Sequence, residues 1–335
     1  MSSFGPESLP YTTAASEFIY GYSSVLAALK ANRRRLYKLY VLPRGLKNEG
    51  SSAILSRAAS LNVTIQHVDD DYLRAFTKAS RGRPHNGFIM ETSPLPAPTI
   101  FALGPCSVIN NEFQVNRAHQ SKEEEAVNGK QRIFGYKSHG WRYPLVVYAD
   151  GVLDEGNLGA IARSAYFLGA DAIVTPMRKS APWSHVAVKA SVGAAEAIPI
   201  FKVEHPSEFL VNSAREGWRI YASGAIPPAP PVLPSKEHLV TEEEPDSRVV
   251  YTFARSGKRL PEKYSPVKEH PSILMMGAED TGLRESLVSA AHYKVGIRQG
   301  REDEVGVDSL NVSVAASLLC FQMLQKPRKS RDALF

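Results

Sequence analysis

From Pro144 onward, short apolar runs rich in Val, Ile and Ala alternate with longer stretches in which apolar residues recur every three or four positions. The spacing predicts strands over 145–149, 172–175, 198–201, 219–223, 273–276 and 294–297, and helices over 158–168, 184–192, 206–216, 283–291 and 310–324. Strand and helix in alternation make a parallel sheet with crossover helices, an α/β architecture. A smaller α/β unit precedes it, with helices predicted over 23–32, 51–61 and 70–75 and strands over 36–42, 64–68 and 88–91.

Between the two units, Ser93-Pro-Leu-Pro-Ala-Pro98 reads as a stiff linker. Residues 110–143 are polar and carry Lys122-Glu-Glu-Glu125, so they read as an insertion or long linker. Residues 227–271, rich in Pro and holding Glu242 to Glu244, read as a surface insertion without chemistry. The organisation expected is a tail (1–16), a small domain (17–92), linker and insertion (93–143), a larger domain (144–326) and a basic tail (327–335).

At 335 residues, 43% hydrophobic and 22% charged, the chain suits one or two globular cores and excludes a disordered, collagenous or disulfide-scaffold protein. Cys106 and Cys320 are too far apart in sequence for a zinc site or a disulfide framework, and no metal is expected. No apolar run approaches the roughly 20 residues of a membrane span. No residue before Lys30 is basic, so no targeting peptide is visible, although a removed presequence would leave the same picture. The net charge of +6 is concentrated in residues 1–101, which hold 12 Lys/Arg against 7 Asp/Glu, while the remainder holds 28 against 27. Such a basic third suits a polyanion partner or is a solvated basic face.

Three segments of the larger domain stand out. Asn157-Leu-Gly-Ala-Ile-Ala-Arg163 follows a strand end, with Arg163 about 1.7 turns beyond Asn157, so both can face the carboxyl edge where α/β ligand sites lie. Met276-Gly277-Ala-Glu279-Asp-Thr-Gly282-Leu283 lets backbone approach a ligand closely and lacks the phosphate-loop Lys and any G-x-G-x-x-G. Ser309-Leu310-Asn311-Val-Ser-Val-Ala opens a helix with Ser309 placed as its cap and Leu310, Val314, Leu318 and Phe321 as its apolar stripe. Singly, these read as a cap, a surface charge, a turn and a capped core helix.

Together and in this order, the three segments resemble the motifs of the SpoU (TrmH) family of RNA ribose 2′-O-methyltransferases. Lys189-Ala-Ser191-Val-Gly193-Ala194 is similar to a further family segment, and residues 17–91 resemble the family's ribosomal-protein-like RNA-binding domain. The layout and the Met-Gly-Ala-Glu form look most like members that methylate a guanosine of large-subunit rRNA, mitochondrial ones included. The resemblance implies a C-terminal SPOUT-class α/β trefoil-knot domain, which no general rule predicts. It implies a homodimer with the last helix at the interface, S-adenosylmethionine held near Gly277, Ile297 and Leu310, an rRNA partner and a setting in the mitochondrial matrix. It makes Arg163, Asn157, Glu279, Ser309 and Asn311 the catalytic set. Arg163 is the family's central residue; its guanidinium pKa above about 12 disfavours a base, so we read it as orienting phosphate and stabilising developing alkoxide. Arg81 and Arg83 before a strand, and Arg33 and Arg34 in a basic run, are the RNA contacts expected of the small domain.

The sequence departs from the family pattern at Arg298, where Pro is usual, at Asp280, where Gly is common, and in a longer, charged stretch 299–307. Two other readings remain: a tRNA ribose methyltransferase, against which the full N-terminal domain speaks, and a catalytically silent RNA-binding assembly factor, against which the intact polar set speaks.

Overall fold

The computed structural model describes residues 5–224, 247–300 and 309–327. The small unit is a four-stranded sheet of β1 (Glu17–Tyr20), β2 (Leu36–Val41), β3 (Thr64–His67) and β4 (Phe88–Thr92) in the order β1-β4-β2-β3. Strand β4 runs antiparallel to both β1 and β2, and β2 is parallel to β3. All of Phe88–Thr92 is buried, and its one charge, Glu91, accepts from Thr12 Oγ1 at 2.7 Å and Ser16 Oγ at 2.6 Å.

The stretch expected to be a polar linker is folded. β5 (Ile100–Ser107), β6 (Glu112–Arg117) and β7 (Ile133–Gly135) form an antiparallel meander, with the helix Lys122–Asn128 between the last two, closed by a capping box of Ser121 and Glu124. Phe113 and Val115 point inward to join Trp218 and Phe209 in one core, while Gln114 between them is exposed. The Trp218 indole N–H donates to Gly104 O at 2.8 Å, and Ser213 Oγ accepts from Leu103 N at 2.9 Å, so the meander is fastened to the larger domain. Tyr136 lies in that core.

The larger domain is a seven-stranded sheet of β8 (Leu145–Ala149), β9 (Ala172–Pro176), β10 (Ile200–Val203), β11 (Arg219–Ser223), β12 (Val249–Phe253), β13 (Ser272–Met276) and β14 (Tyr293–Ile297). The order is β10-β9-β8-β13-β11-β14-β12, parallel except for β12, which pairs antiparallel to β14 at the edge. The 227–271 stretch therefore contributes a strand and is not wholly a surface insertion; its residues 227–246 lie outside the described residues. Strands β8, β9 and β13 are buried throughout because both sheet faces are covered. Leu145, Val147 and Ala149 face the helices Glu155–Leu168 and Val312–Met323, while Val146 and Tyr148 face Phe209 and Trp218.

The first of those cores runs on into the small domain, through Ile19, Val25, Leu39 and Phe88, so the two domains pack as one. Two arginines fasten the junction. Arg34, 5% exposed, donates from Nε to Glu196 Oε2 at 2.9 Å and from Nη2 to the other oxygen of the same carboxylate, and its Nη1 reaches Ser93 O at 3.0 Å. Arg33 donates to Ile198 O at 2.6 Å. At Gly193, with φ +93, the small domain approaches closely: a Cβ there would stand 2.3 Å from Ala27 Cβ. No helix among the described residues is long and apolar enough to cross a membrane.

Candidate active site

The parallel order puts the carboxyl ends of β8, β13, β11 and β14 along one edge of the sheet. Asp154 caps the helix that follows β8, accepting from Asn157 N at 2.7 Å, so Asn157 sits in its first turn. Behind it, Gly159 has no room for a side chain: a Cβ would meet Ala187 O at 2.3 Å and Ala190 Cβ at 2.6 Å. The Asn-Leu-Gly spacing is thus the register of an amide at the edge and a helix crossing at close range.

Three of the expected residues converge. Asn157 Nδ2 donates to Glu279 Oε1 at 3.3 Å, Asn311 Nδ2 donates to Asn157 Oδ1 at 3.1 Å and also to Glu279 Oε1, and Val312 N adds a bond to that oxygen at 3.0 Å. The last helix is capped by Asn311, whose Oδ1 accepts from Ser313 N at 3.0 Å and from Val314 N at 3.4 Å. This corrects the expectation that Ser309 is the cap: the helix begins at Val312, and Ser309 lies two residues outside the cap, exposed. The apolar stripe is corrected as well. Leu310, Val314, Leu318 and Phe321 are exposed, whereas Val312, Ala316, Leu319, Cys320 and Met323 are the buried face.

Arg163 stands apart from this trio, exposed on the helix Glu155–Leu168 and without a hydrogen bond or ion pair to it among the described residues. It shares its helix face with Tyr166 and Phe167, which are 53% and 86% exposed. Gly277 leads into a tight hairpin in which Ala278 N donates to Gly282 O at 3.2 Å and Gly282 N returns a bond to Ala278 O at 2.9 Å. A Cβ at Gly277 would lie 2.4 Å from Gly282 C, so bare backbone is obligatory there. Asp280, the departure from glycine, accepts from Thr281 N at 2.8 Å and so braces this hairpin. Arg298, the other departure, donates its backbone N–H to Arg248 O at 2.8 Å and lengthens the β12–β14 pairing. Ile297 is half-buried at the end of β14, and residues 301–308, including most of the charged stretch, lie outside the described residues.

Two supporting residues escaped the sequence reading. Arg284 grips Asp150 with Nε at 3.0 Å and Nη2 at 2.7 Å, and the Tyr148 hydroxyl donates to the same carboxylate at 3.0 Å. This pair joins the loop after β8 to the loop after β13, the two that deliver Asn157 and Glu279. The visible signal was Asp150 directly after β8; Arg284, eight residues beyond β13, carries none of its own.

Of the expected RNA contacts, Arg81 and Arg83 are exposed in the turn before β4. Arg34 is not available to RNA, since it is buried with its donors spent on Glu196, Thr92 and Ser93, and Arg33 is half-buried against Ile198. No group of three or more His, Cys, Asp or Glu among the described residues is arranged to hold a metal.

Known proteins share this two-domain architecture. The profile of the SpoU rRNA Methylase family matches residues 144–321, and that of the RNA 2′-O ribose methyltransferase substrate-binding domain matches residues 18–98. The meander lies outside both, apart from its connection to the linker. The chain is 31% identical to the mitochondrial rRNA methyltransferase 1 of Schizosaccharomyces pombe over 92% of its own length and 90% of the relative's. It is 26% identical to the 23S rRNA (guanosine-2′-O-)-methyltransferase RlmB of Haemophilus ducreyi, over 93% and 98% respectively. Among solved structures, an AdoMet-bound rRNA methyltransferase from Sinorhizobium meliloti shares the fold with a TM-score of 0.55 at 18% identity, covering 92% of this chain and 87% of that one. Two profiles in order along the chain, and a relative matched over nearly its whole length, place the protein in the SpoU rRNA Methylase family.

Proposed function

We propose that the protein transfers a methyl group from S-adenosylmethionine to the ribose 2′-oxygen of a guanosine in large-subunit rRNA, and that it does so in the mitochondrial matrix. The observation that carries this reading is the hydrogen-bonded trio of Asn157, Glu279 and Asn311 at the carboxyl edge of the sheet. Three parts of the sequence more than 30 residues apart meet there in polar contact, which a scaffold has no need of. The names of the relatives support the substrate and the compartment: those from two yeasts and from Homo sapiens are mitochondrial.

The edge fits an adenosyl group. Gly277, two residues before Glu279, presents bare backbone, Leu310 directly before Asn311 presents aliphatic surface, and Ile297 ends β14 at the same carboxyl edge. When bound, the cofactor supplies a sulfonium-activated methyl. The protein's part is to bring a 2′-oxygen into line and to stabilise charge as it develops. Glu279, fixed by two amides and a backbone N–H, holds Asn157 and Asn311 in register. Arg163 orients the adjoining phosphate and stabilises alkoxide character, and Ser309 completes the set on the approach to the last helix. An RNA partner follows from a 2′-hydroxyl target.

The catalytic unit is a homodimer and the C-terminal chain threads a trefoil knot. The dimer is supported by the apolar side chains left exposed on two adjoining helices, Tyr166 and Phe167 on one and Val314, Leu318 and Phe321 on the other, a contiguous surface of the kind that marks an interface. Arg163 borders this patch, so dimer formation would place it beside a second subunit. The test is methyl transfer from labelled S-adenosylmethionine to large-subunit rRNA, run beside Arg163→Ala. Label in RNA with the native protein, and a loss of at least about 100-fold in the variant with cofactor binding unchanged, is the expected result; an unaltered rate in the variant contradicts the role given to Arg163.

A further inference from the structure

A cavity of about 500 Å³ opens at the seam between the two domains. The N-terminal segment gives it Tyr11, the small domain Phe18, Lys78 and Arg81, and the larger domain Ser184 and His185. Tyr11 is 62% exposed and pairs with Phe18 at 4.8 Å between ring centroids, so one wall is aromatic and open to solvent. The cavity is also basic, lined by Lys78 and Arg81 beside His185. Lys78 and Arg81 have no carboxylate within ion-pair distance among the described residues, and the buried His185 Nε2 has no hydrogen-bond partner there. Burial, then the charges of Arg81 and Arg83, hold His185 below its ordinary pKa despite the opposing pull of Glu155. One carboxylate, Glu17, reaches the cavity, and it stands 3.7 Å from Arg34.

Polar groups buried without partners are costly and uncommon, and an ammonium and a guanidinium lining one cavity beside an unpartnered histidine suit an anion. An aromatic face beside it suits a base, since any nucleobase stacks on such a ring. The seam is also near the trio. Ser184 Oγ donates to Glu155 Oε2 at 2.6 Å, and Glu155 is two residues from Asn157 on the same helix. The clamp of Arg33 and Arg34 fixes the two walls relative to one another.

We propose that the seam cavity is a subsite for one unpaired nucleotide of the RNA strand, with its phosphate toward Lys78, Arg81 and His185 and its base against Tyr11. The subsite rests on the reading that this protein acts on RNA. It ties recognition by the small domain to placement of the target ribose, because a nucleotide held there sets which neighbour reaches Asn157.

The test measures binding of a fluorescent single-stranded large-subunit rRNA fragment to the full chain across a salt series, beside Tyr11→Ala, Tyr11→Phe, Arg81→Gln and Lys78→Gln. Cofactor binding and melting temperature serve as controls for folding. Tyr11→Ala is expected to weaken binding about 10-fold and Tyr11→Phe to restore it. Arg81→Gln and Lys78→Gln are each expected to make the slope of log affinity against log salt shallower by about 0.7. Unchanged affinity in Tyr11→Ala with unchanged salt slopes overturns the subsite. Free guanosine monophosphate is the second probe: if it binds and Tyr11→Ala weakens it while RNA affinity stays constant, the cavity serves a free nucleotide and the RNA assignment is overturned. RNA binding with the expected variant pattern, but no methyl transfer by the native protein, would leave the subsite standing and remove the proposed activity.

Discussion

Asn311 holds two structures at once. Its carbonyl oxygen caps the last helix, and its amide nitrogen ties Glu279 to Asn157. Asn311→Ala therefore removes a cap worth about 1 kcal/mol and frees the carboxylate. Methyl transfer is expected to fall about 100-fold, since a displacement of about 1 Å at a reacting group is enough for that. Asn311→Ser, which keeps a capping oxygen but has no amide to reach Glu279, would regain the stability and not the rate, whereas equal recovery of both contradicts the double role. Gly159 tests the packing behind the site. Gly159→Ala forces a methyl to within 2.3 Å of Ala187 O, and overpacking of this kind costs about 1–3 kcal/mol, readable as a lower urea midpoint. An unchanged midpoint would mean that the two helices separate freely.

At the scale of elements, the titrating histidines give the fold a pH dependence. His85 is held down to about 4 by burial and by Arg44 beside it, and His270 to about 4 by burial and then by Arg219. Unfolded, both titrate near 6.5, so between pH 6.5 and 4 the unfolded chain binds protons that the folded state refuses. Their contribution to stability is complete above pH 6.5 and is lost as pH falls toward 4. Melting temperature should decline over that window, and His270→Gln, which keeps a partner for the Tyr221 hydroxyl, should flatten the decline; an identical decline in the variant would contradict it.

The elements also show what a sequence makes legible. Buried parallel strands such as β8 and β13 announce themselves as apolar runs, and their predicted positions agree with the structure to within a residue or two. The meander did not, because one face of an antiparallel sheet is polar: in Glu112–Arg117 only Phe113 and Val115 mark the inward side. The last helix is apolar on both faces, so neither its buried side nor its start could be read from spacing. The Asn157, Glu279 and Asn311 motifs were legible as motifs, yet their meeting depends on strand order, which local pattern does not encode. Arg34 likewise reads as part of a basic surface run until its partner 162 residues away is in place.

For the molecule as a whole, that pair decides whether the two domains move as one. Arg34→Met leaves Glu196 charged and buried, at a cost of about 3–5 kcal/mol, while Arg34→Met with Glu196→Leu should recover most of it, because a matched apolar pair needs no desolvation of charge. Equilibrium unfolding of the two variants measures the difference, and equal losses would show that the clamp is not a coupled pair. Assembly belongs to the same scale. Leu318→Asp places a charge in the exposed apolar patch and should give a monomer in sedimentation, with methyl transfer lost as Arg163 is stranded from a second subunit. A dimer that persists would move the interface elsewhere.

The central claim is the chemistry on a ribose, and the most direct measurement is the site of the methyl group. Large-subunit rRNA would be treated with the native protein and labelled S-adenosylmethionine, then cleaved with alkali, which spares the bond beside a 2′-O-methyl ribose. The account predicts one protected position, at a guanosine. Label on a base, or no label although the protein binds both the cofactor and the RNA, would contradict it.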